Sequence, residues 1–239
     1  MNNCTYLIYT HSDYDDIFEI TLKRIQKYFP IIKLSICTNN LLLIKEKYSM
    51  FYDIINIYEY DDNLPYATKL MSVLEQINTE YVLFNHDNNI LIDNVDINFI
   101  NLLLDKMSSE NIDTIRLSCC GISNIDKNDE PLLKPNTGGY FLSVFPSIWR
   151  TISFLKLCKL FKGSSYRDFE HGESQVYASS LKNFYLSNSR NIEPWISCHY
   201  PNIHAISHGK WFFDAHQKEI EIIANEYLVD LNKRGIHPK

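Results

Sequence analysis

Over the first 118 residues, short β-branched and aromatic runs alternate with stretches of helical period, and nothing else in the chain constrains its fold as strongly. Strands separated by helix-length segments join as parallel neighbours through crossovers. The expected architecture is therefore an α/β fold, a mostly parallel central sheet flanked by helices. The first strand is expected at residues 5–10. Ser12 or Asp13 caps the helix after it, with Asp15, Asp16 and Glu19 in its first turns and Phe18, Leu22, Ile25 and Phe29 along one face. Residues 33–38 and 54–60 read as the second and third strands. Pro65 stands at a first helical position, and Ala67, Leu70, Leu74 and Ile77 form a buried stripe in a helix running through Asn78. Residues 80–85 are almost wholly apolar, which places the fourth strand in the middle of the sheet. Asp93 or Asn94 is expected to cap a helix reaching Ser109, followed by a fifth strand at 114–118.

The second half loses this rhythm. Residues 121–139 are polar and turn-rich, with Pro131, Pro135, Gly138 and Gly139, and read as a long excursion within one domain. After it come a strand at 140–145, a helix opening at Pro146 and a helix at 170–182. A short strand at 203–207 and a long helix at 216–233, ended by Gly235, complete the expected elements.

Composition narrows the class of partner. The 239 residues, 45% hydrophobic, suit one core, and single α/β domains run to about 250 residues. With 13 Phe, 16 Tyr and 3 Trp the chain is not disordered, and with 7 Gly and 8 Pro it is neither collagen-like nor a linker. A formal net charge of -6 argues against nucleic acid, whose phosphates call for a basic face, but leaves a nucleotide open. The six cysteines form no CxxC pair or metal spacing, and adjacent Cys119 and Cys120 cannot bridge without strain. No run approaches the roughly 20 apolar residues of a membrane span, and the N-terminus lacks the pattern of a signal peptide. A reducing cytoplasm is the expected location. Over-use of Asn, Ile, Lys and Tyr resembles the coding bias of an AT-rich genome.

The segment EYVLFNHDNNILID, residues 80–93, carries the most chemical information. A buried strand runs straight into His86, Asp87, Asn88 and Asn89, and ligands of α/β proteins bind at the carboxyl ends of central strands. Oxygen ligands at i and i+2 of an extended chain point the same way and suit a hard cation. The same residues also make a good polar turn.

An apolar strand ending in Asp-x-Asp after about 80 residues of βα units resembles the metal motif of nucleotide-diphospho-sugar transferases with the family A glycosyltransferase (GT-A) fold, a Rossmann-like domain. THSDY at 10–14, YFLSVFPSIWR at 140–150, RDFEHGE at 167–173 and HAISHGKW at 204–211 resemble a viral and microbial branch of that superfamily, in the same order. The resemblance implies one domain over 1–239, with a nucleotide-binding half at about 1–118 and an acceptor- and sugar-binding half at about 119–239. For a viral chain the cytoplasm would be the host's.

Carried onto this sequence, the resemblance makes Asp87 and Asn89 the metal motif, with Asn replacing the second Asp. It adds His208 as a late histidine ligand and implies Mn²⁺, or Mg²⁺, as cofactor. Thr10, His11, Ser12 and Asp13 would line the nucleotide site with His86, Asp61 would contact base or ribose, and Lys69 and Lys210 would reach phosphate. Glu170 and Asp168 match the acidic position that serves as general base in inverting members, where one carboxylate takes the acceptor proton. Helix N-termini also favour such acids. Gly138, Gly139, Trp149 and Trp211 are expected against the sugar or acceptor, although a tryptophan on an apolar helix face is equally a core residue. The function implied is transfer of a sugar from a UDP- or TDP-linked donor to a glycan or other hydroxyl acceptor. The alternative is a catalytically silent carbohydrate- or partner-binding domain of the same fold. A sugar nucleotidyltransferase needs a Gly-rich, basic first loop, which THSDYDD is not.

Overall fold

The computed structural model describes residues 3–30, 32–49, 52–117, 133–135, 141–186 and 196–237. In chain order the elements are β1 (Cys4–Tyr9), α1 (Asp15–Tyr28), β2 (Leu34–Thr38), α2 (Leu41–Lys47), β3 (Ile54–Glu59), α3 (Tyr66–Leu74), β4 (Tyr81–His86), β5 (Asn89–Leu91), α4 (Ile97–Ser109) and β6 (Thr114–Arg116). Then follow β7 (Leu133–Pro135), β8 (Ser147–Arg150), α5 (Thr151–Leu160), α6 (Tyr166–His171), α7 (Ser174–Ser179), β9 (Asn183–Leu186), β10 (Asn202–His204), β11 (Ile206–Ser207), β12 (Lys210–Trp211), α8 (Phe213–Tyr227) and α9 (Leu231–Arg234).

The main sheet has the order β3-β2-β1-β4-β8-β6-β9-β7. All its strands share one direction except β8 and β7, which run against their neighbours. The expected mostly parallel α/β sheet is thus present, with β1 and β4 at its centre. Every residue of β2 and β4 is buried, as strands covered on both faces require. Alternation along β1 sends Tyr6 and Ile8 into a core with Phe18, Leu22 and Ile25 of α1 and Ile100 and Leu103 of α4. Leu7 points the other way, into a core with Leu70 and Leu74 of α3 and Phe154 and Leu157 of α5. A third cluster packs Ile17 and Ile20, on a second face of α1, against Ile203, Ile206, Trp211, Ile220 and Ile223, so the C-terminal elements lean on α1. Arg24 of α1, buried to 2%, meets Glu226 of α8 at 2.7 Å in that contact.

Several expected elements are corrected. The strand expected at 140–145 lies instead at β8, and α5 begins at Thr151 rather than at Pro146. The backbone of 141–144 finds side-chain partners, since Gln175 Oε1 accepts from the N–H groups of Phe141 and Leu142 and Glu170 Oε1 accepts from that of Val144. It therefore needs no ladder. The single helix expected at 170–182 is two, α6 and α7, broken at Gly172. A Cβ there would collide with the Asp168 carbonyl that its N–H caps. The expected 216–233 helix also divides, at Leu228 in the left-handed conformation (φ 55°), and α9 follows. Asp96, not Asp93 or Asn94, caps α4 by accepting from Phe99 N–H at 3.0 Å. Helix α2, capped by Asn40, was not anticipated.

Trp149 is a core residue on β8. It is 2% exposed, with its ring stacked on Phe154 at 4.8 Å and 17°. A sugar cannot lie against a ring so enclosed. Trp149→Ala is expected to lower stability by about 3–5 kcal/mol, read from the urea-unfolding midpoint. A variant of wild-type stability would contradict this placement.

Candidate active site

β1 and β4 end side by side, with Tyr9 paired to His86. Thr10 and Asp87 therefore leave the sheet together at its C-terminal edge, where crossover helices part and open a crevice. Asp87 ties these ends to α1. Its N–H donates to the Tyr9 carbonyl at 3.0 Å, its Oδ2 accepts the Thr10 hydroxyl at 2.7 Å, and its carbonyl accepts the Thr21 hydroxyl. The backbone N–H groups of His11 and Asn88 also serve the carboxylate. Burial outweighs these donors and the Arg234 charge, and pushes the Asp87 carboxyl up to about 7.

Beside it, His86 lies among aromatic rings: Tyr9 at 5.0 Å, Phe84 at 5.2 Å, and Tyr66 and Tyr166 each at 5.9 Å. Its Nε2 is 2.7 Å from the Tyr66 hydroxyl. Burial, then the neighbouring His204, takes its pKa down to about 3, so the ring is neutral at physiological pH. Tyr166 and Glu170 of α6 form the facing wall. Glu170 is 5% exposed and accepts from Val144 N–H at 3.2 Å; burial, then the Glu170 charge, pushes the Tyr166 hydroxyl pKa up. Gln175 fixes the same region, donating to the carbonyls of Leu142 and Glu170. Asp168, by contrast, sits in a reciprocal cap: its N–H donates to Ser165 Oγ at 3.2 Å, and Ser165 Oγ donates to its carboxylate at 2.6 Å.

The first loop is held by polar pairs. Asp13 N–H donates to His11 Nδ1, which leaves the proton on Nε2 to face Asp62 Oδ2 at 2.8 Å. Ser12 N–H donates to Asn39 Oδ1 at 2.8 Å. Lys69 Nζ grips the other oxygen of Asp62 at 2.6 Å, over the Tyr60 ring. Lys69, then His11, brings the Asp62 carboxyl down to about 2. Asp62, rather than Asp61, therefore faces the loop, while Asp61 accepts from Asn63 N–H at 2.9 Å in an exposed turn. Adjacent residues at a strand end point opposite ways, so an Asp-Asp pair does not declare which one faces in.

Asn89 lies on β5 opposite His204 of β10, so their side chains share a face. Asn89 Oδ1 and His204 Nδ1 are both buried acceptors without a hydrogen-bond partner. Asp87 and Asn88 form the turn between β4 and β5 rather than the extended strand end expected; an amide oxygen and an imidazole nitrogen are groups a divalent cation accepts, but among the described residues no three His, Cys, Asp or Glu converge as ligands. His208, the expected ligand, is instead exposed at φ 50° on the β11–β12 turn, with its ring 5.4 Å from His237. Lys210 is exposed on the same hairpin, and Trp211, 1% exposed, is core and cannot act as a lid. Gly138 and Gly139 lie outside the described residues. Near the hairpin, a depression of about 510 Å³ is lined by Asp13, Asp15, Asp16, Gly209, Lys233 and Arg234. The tyrosines of the site escaped sequence reasoning; their only signal is position, since Tyr9 ends β1 while Tyr66 and Tyr166 open α3 and α6.

No protein-family profile matches the chain, and no curated protein matches it in sequence. Solved structures do resemble it, and they define a nucleotide-sugar-transferase-like α/β fold. One is the mannosyltransferase PcManGT from Pyrobaculum calidifontis in complex with GDP-Man and Mn²⁺, at a TM-score of 0.53 and 8% identity, covering 99% of this chain and 66% of that one. A cytidylyltransferase from Leptospira borgpetersenii gives 0.52 and 13%, covering 98% and 99%. TarS 1-349 of S. aureus in complex with UDP gives 0.50 and 12%, covering 97% and 68%. The chain spans only 41% of the longer TarS structure. Among the described residues no helix is long and apolar enough to cross a membrane.

The Asp87 shift has a measurable consequence. Its folded pKa lies above the ordinary value of about 3.9, so the folded chain keeps a proton that the unfolded chain has lost, and stability falls as pH rises from about 4 to 7. About three pH units amount to about 4 kcal/mol. His86 and His204, held low at about 3 and about 4, act oppositely and lower stability as pH falls below about 6.5. Asp87→Asn removes only the first slope. In urea titrations in metal-free buffer, its stability relative to wild type should climb by up to about 4 kcal/mol between pH 4 and 7. Parallel curves would show that the carboxyl titrates normally.

Proposed function

We propose that the chain is a glycosyltransferase that moves a sugar from a UDP- or TDP-linked donor to a hydroxyl of a glycan or other acceptor. The observation that carries this reading is a pair of carboxyls joined through one aromatic floor. Asp87 follows His86 at the end of central β4, and the His86 ring lies 5.9 Å from that of Tyr166, which shares α6 with Glu170. The nucleotide takes the strand-end side, by Thr10, His11 and Asp62, and the acceptor takes the α6 side. Glu170 removes the acceptor proton as that oxygen attacks the anomeric carbon, and the bonding pair of the glycosidic bond leaves with the diphosphate. Mn²⁺, or Mg²⁺, would be held by Asp87 and Asn89 and would neutralise the leaving diphosphate. His204 is the histidine placed beside them, and an imidazole ligand favours manganese.

The structural likeness to the cytidylyltransferase, over 98% of this chain, supports a nucleotidyltransferase as the second reading. The first loop speaks against it, because residues 10–13 contain neither glycine nor a Lys or Arg to cradle a triphosphate.

Calorimetric titration with UDP, with and without Mn²⁺, tests the proposal. UDP is expected to bind more tightly with the metal. Asp87→Ala should abolish that enhancement, and Asn89→Asp should preserve or strengthen it. Glu170→Gln should lower turnover by about 10²–10⁴ with donor affinity nearly unchanged. Absence of UDP binding under both conditions would leave a silent binding domain instead.

A further inference from the structure

Among the aromatic side chains around the crevice, Tyr9, Tyr60, Tyr66 and His86 are buried or half-buried, whereas Tyr166 is 42% exposed. Such exposure in a tyrosine normally goes with a mobile ring. Here the ring is braced on one side, where its body meets Tyr66 at 5.1 Å and 79° and His86 at 5.9 Å and 71°, with Glu170 on the same helix. An exposed aromatic surface held in one orientation has little rotamer entropy left to lose when something stacks on it. Tyr14, half-buried in the first loop, lies within electrostatic reach of the Tyr166 hydroxyl and has the Arg234 guanidinium 4.8 Å over its ring.

Charge selects what can stack there. Glu170 and Asp168 accompany Tyr166 on α6, and Asp13, Asp15 and Asp16 line the depression near Tyr14. The Arg234 charge is already matched by Asp16, which accepts from both its Nε and Nη2. A diphosphate against this acidic wall would meet repulsion. A neutral ring with an apolar C–H face and hydroxyl edges would find an aromatic platform and carboxylate acceptors.

Resting on the glycosyltransferase reading, we propose that the acceptor is a carbohydrate whose ring stacks on Tyr166, with Tyr14 across from it and Glu170 at the ring's hydroxyl edge. Tyr166 takes the place that the sequence offered to Trp149 and Trp211, both of which are core.

The test is saturation-transfer NMR of the full chain with methyl glycosides of glucose, galactose, mannose, N-acetylglucosamine, rhamnose and fucose, beside a separate titration with UDP. At least one glycoside is expected to bind the wild type through its ring C–H protons. Tyr166→Ala should weaken it about tenfold or more, the scale of one lost aromatic contact, while Tyr166→Trp retains it and UDP affinity stays the same in both variants. If Tyr166→Ala does not fold, Tyr166→Leu keeps the bulk without the aromatic face and should show the same loss. Undiminished glycoside binding in these variants would overturn the proposal, as would a loss of UDP affinity, which would mark the ring as a base platform. UDP binding with no glycoside binding to the wild type would overturn the acceptor assignment alone, and failure of both would take the glycosyltransferase reading with it.

Discussion

The knot at Asp87 is the interaction on which the rest of the site depends. Through its N–H, carboxylate and carbonyl it joins the end of β1, the first loop and α1 to the end of β4, so two central strands and a helix share one buried residue. Burying a carboxyl is unfavourable, as its raised pKa records, and the donors around it only partly offset that penalty. A polar group kept at such a cost in the middle of a sheet is a mark of function as much as of folding.

Around that knot the electrostatics are largely balanced by pairs. Lys69 and His11 meet Asp62, Arg234 meets Asp16, and Lys47 meets Asp15 and Glu19. The first loop is thus tied to Asp62 and Asn39 through His11 and Ser12, and to Arg234 of α9 through the Asp13 carbonyl. Asn89 Oδ1 and His204 Nδ1, on paired strands, are buried without a hydrogen-bond partner.

In the irregular half, side chains hold the stretch 141–144 beside the ladders of β8, β9 and β10. Gln175 and Glu170 satisfy the backbone of 141–144, which lets β8 enter the sheet antiparallel between β4 and β6. The same two residues define the wall that carries Tyr166. After the break at Gly172, Gln175 reaches back to the Glu170 carbonyl.

The sequence alone determined the parallel βα frame, the central place of residues 80–85 and the emergence of Asp87 at a strand end. Those features rest on local periodicity, which a chain carries in itself. The resemblance of residues 167–173 also named Glu170 and Asp168 as candidates. Tertiary structure decided which of Asp61 and Asp62 faces the loop, that His204 rather than His208 stands opposite Asn89, that Asp168 caps a helix, and that two tryptophans are core while Tyr166 is exposed. Each of these depends on register or on contacts between segments far apart in the chain, such as the pairing of β5 with β10 across more than a hundred residues. One residue of register moves a side chain to the opposite face, and local pattern does not record that choice.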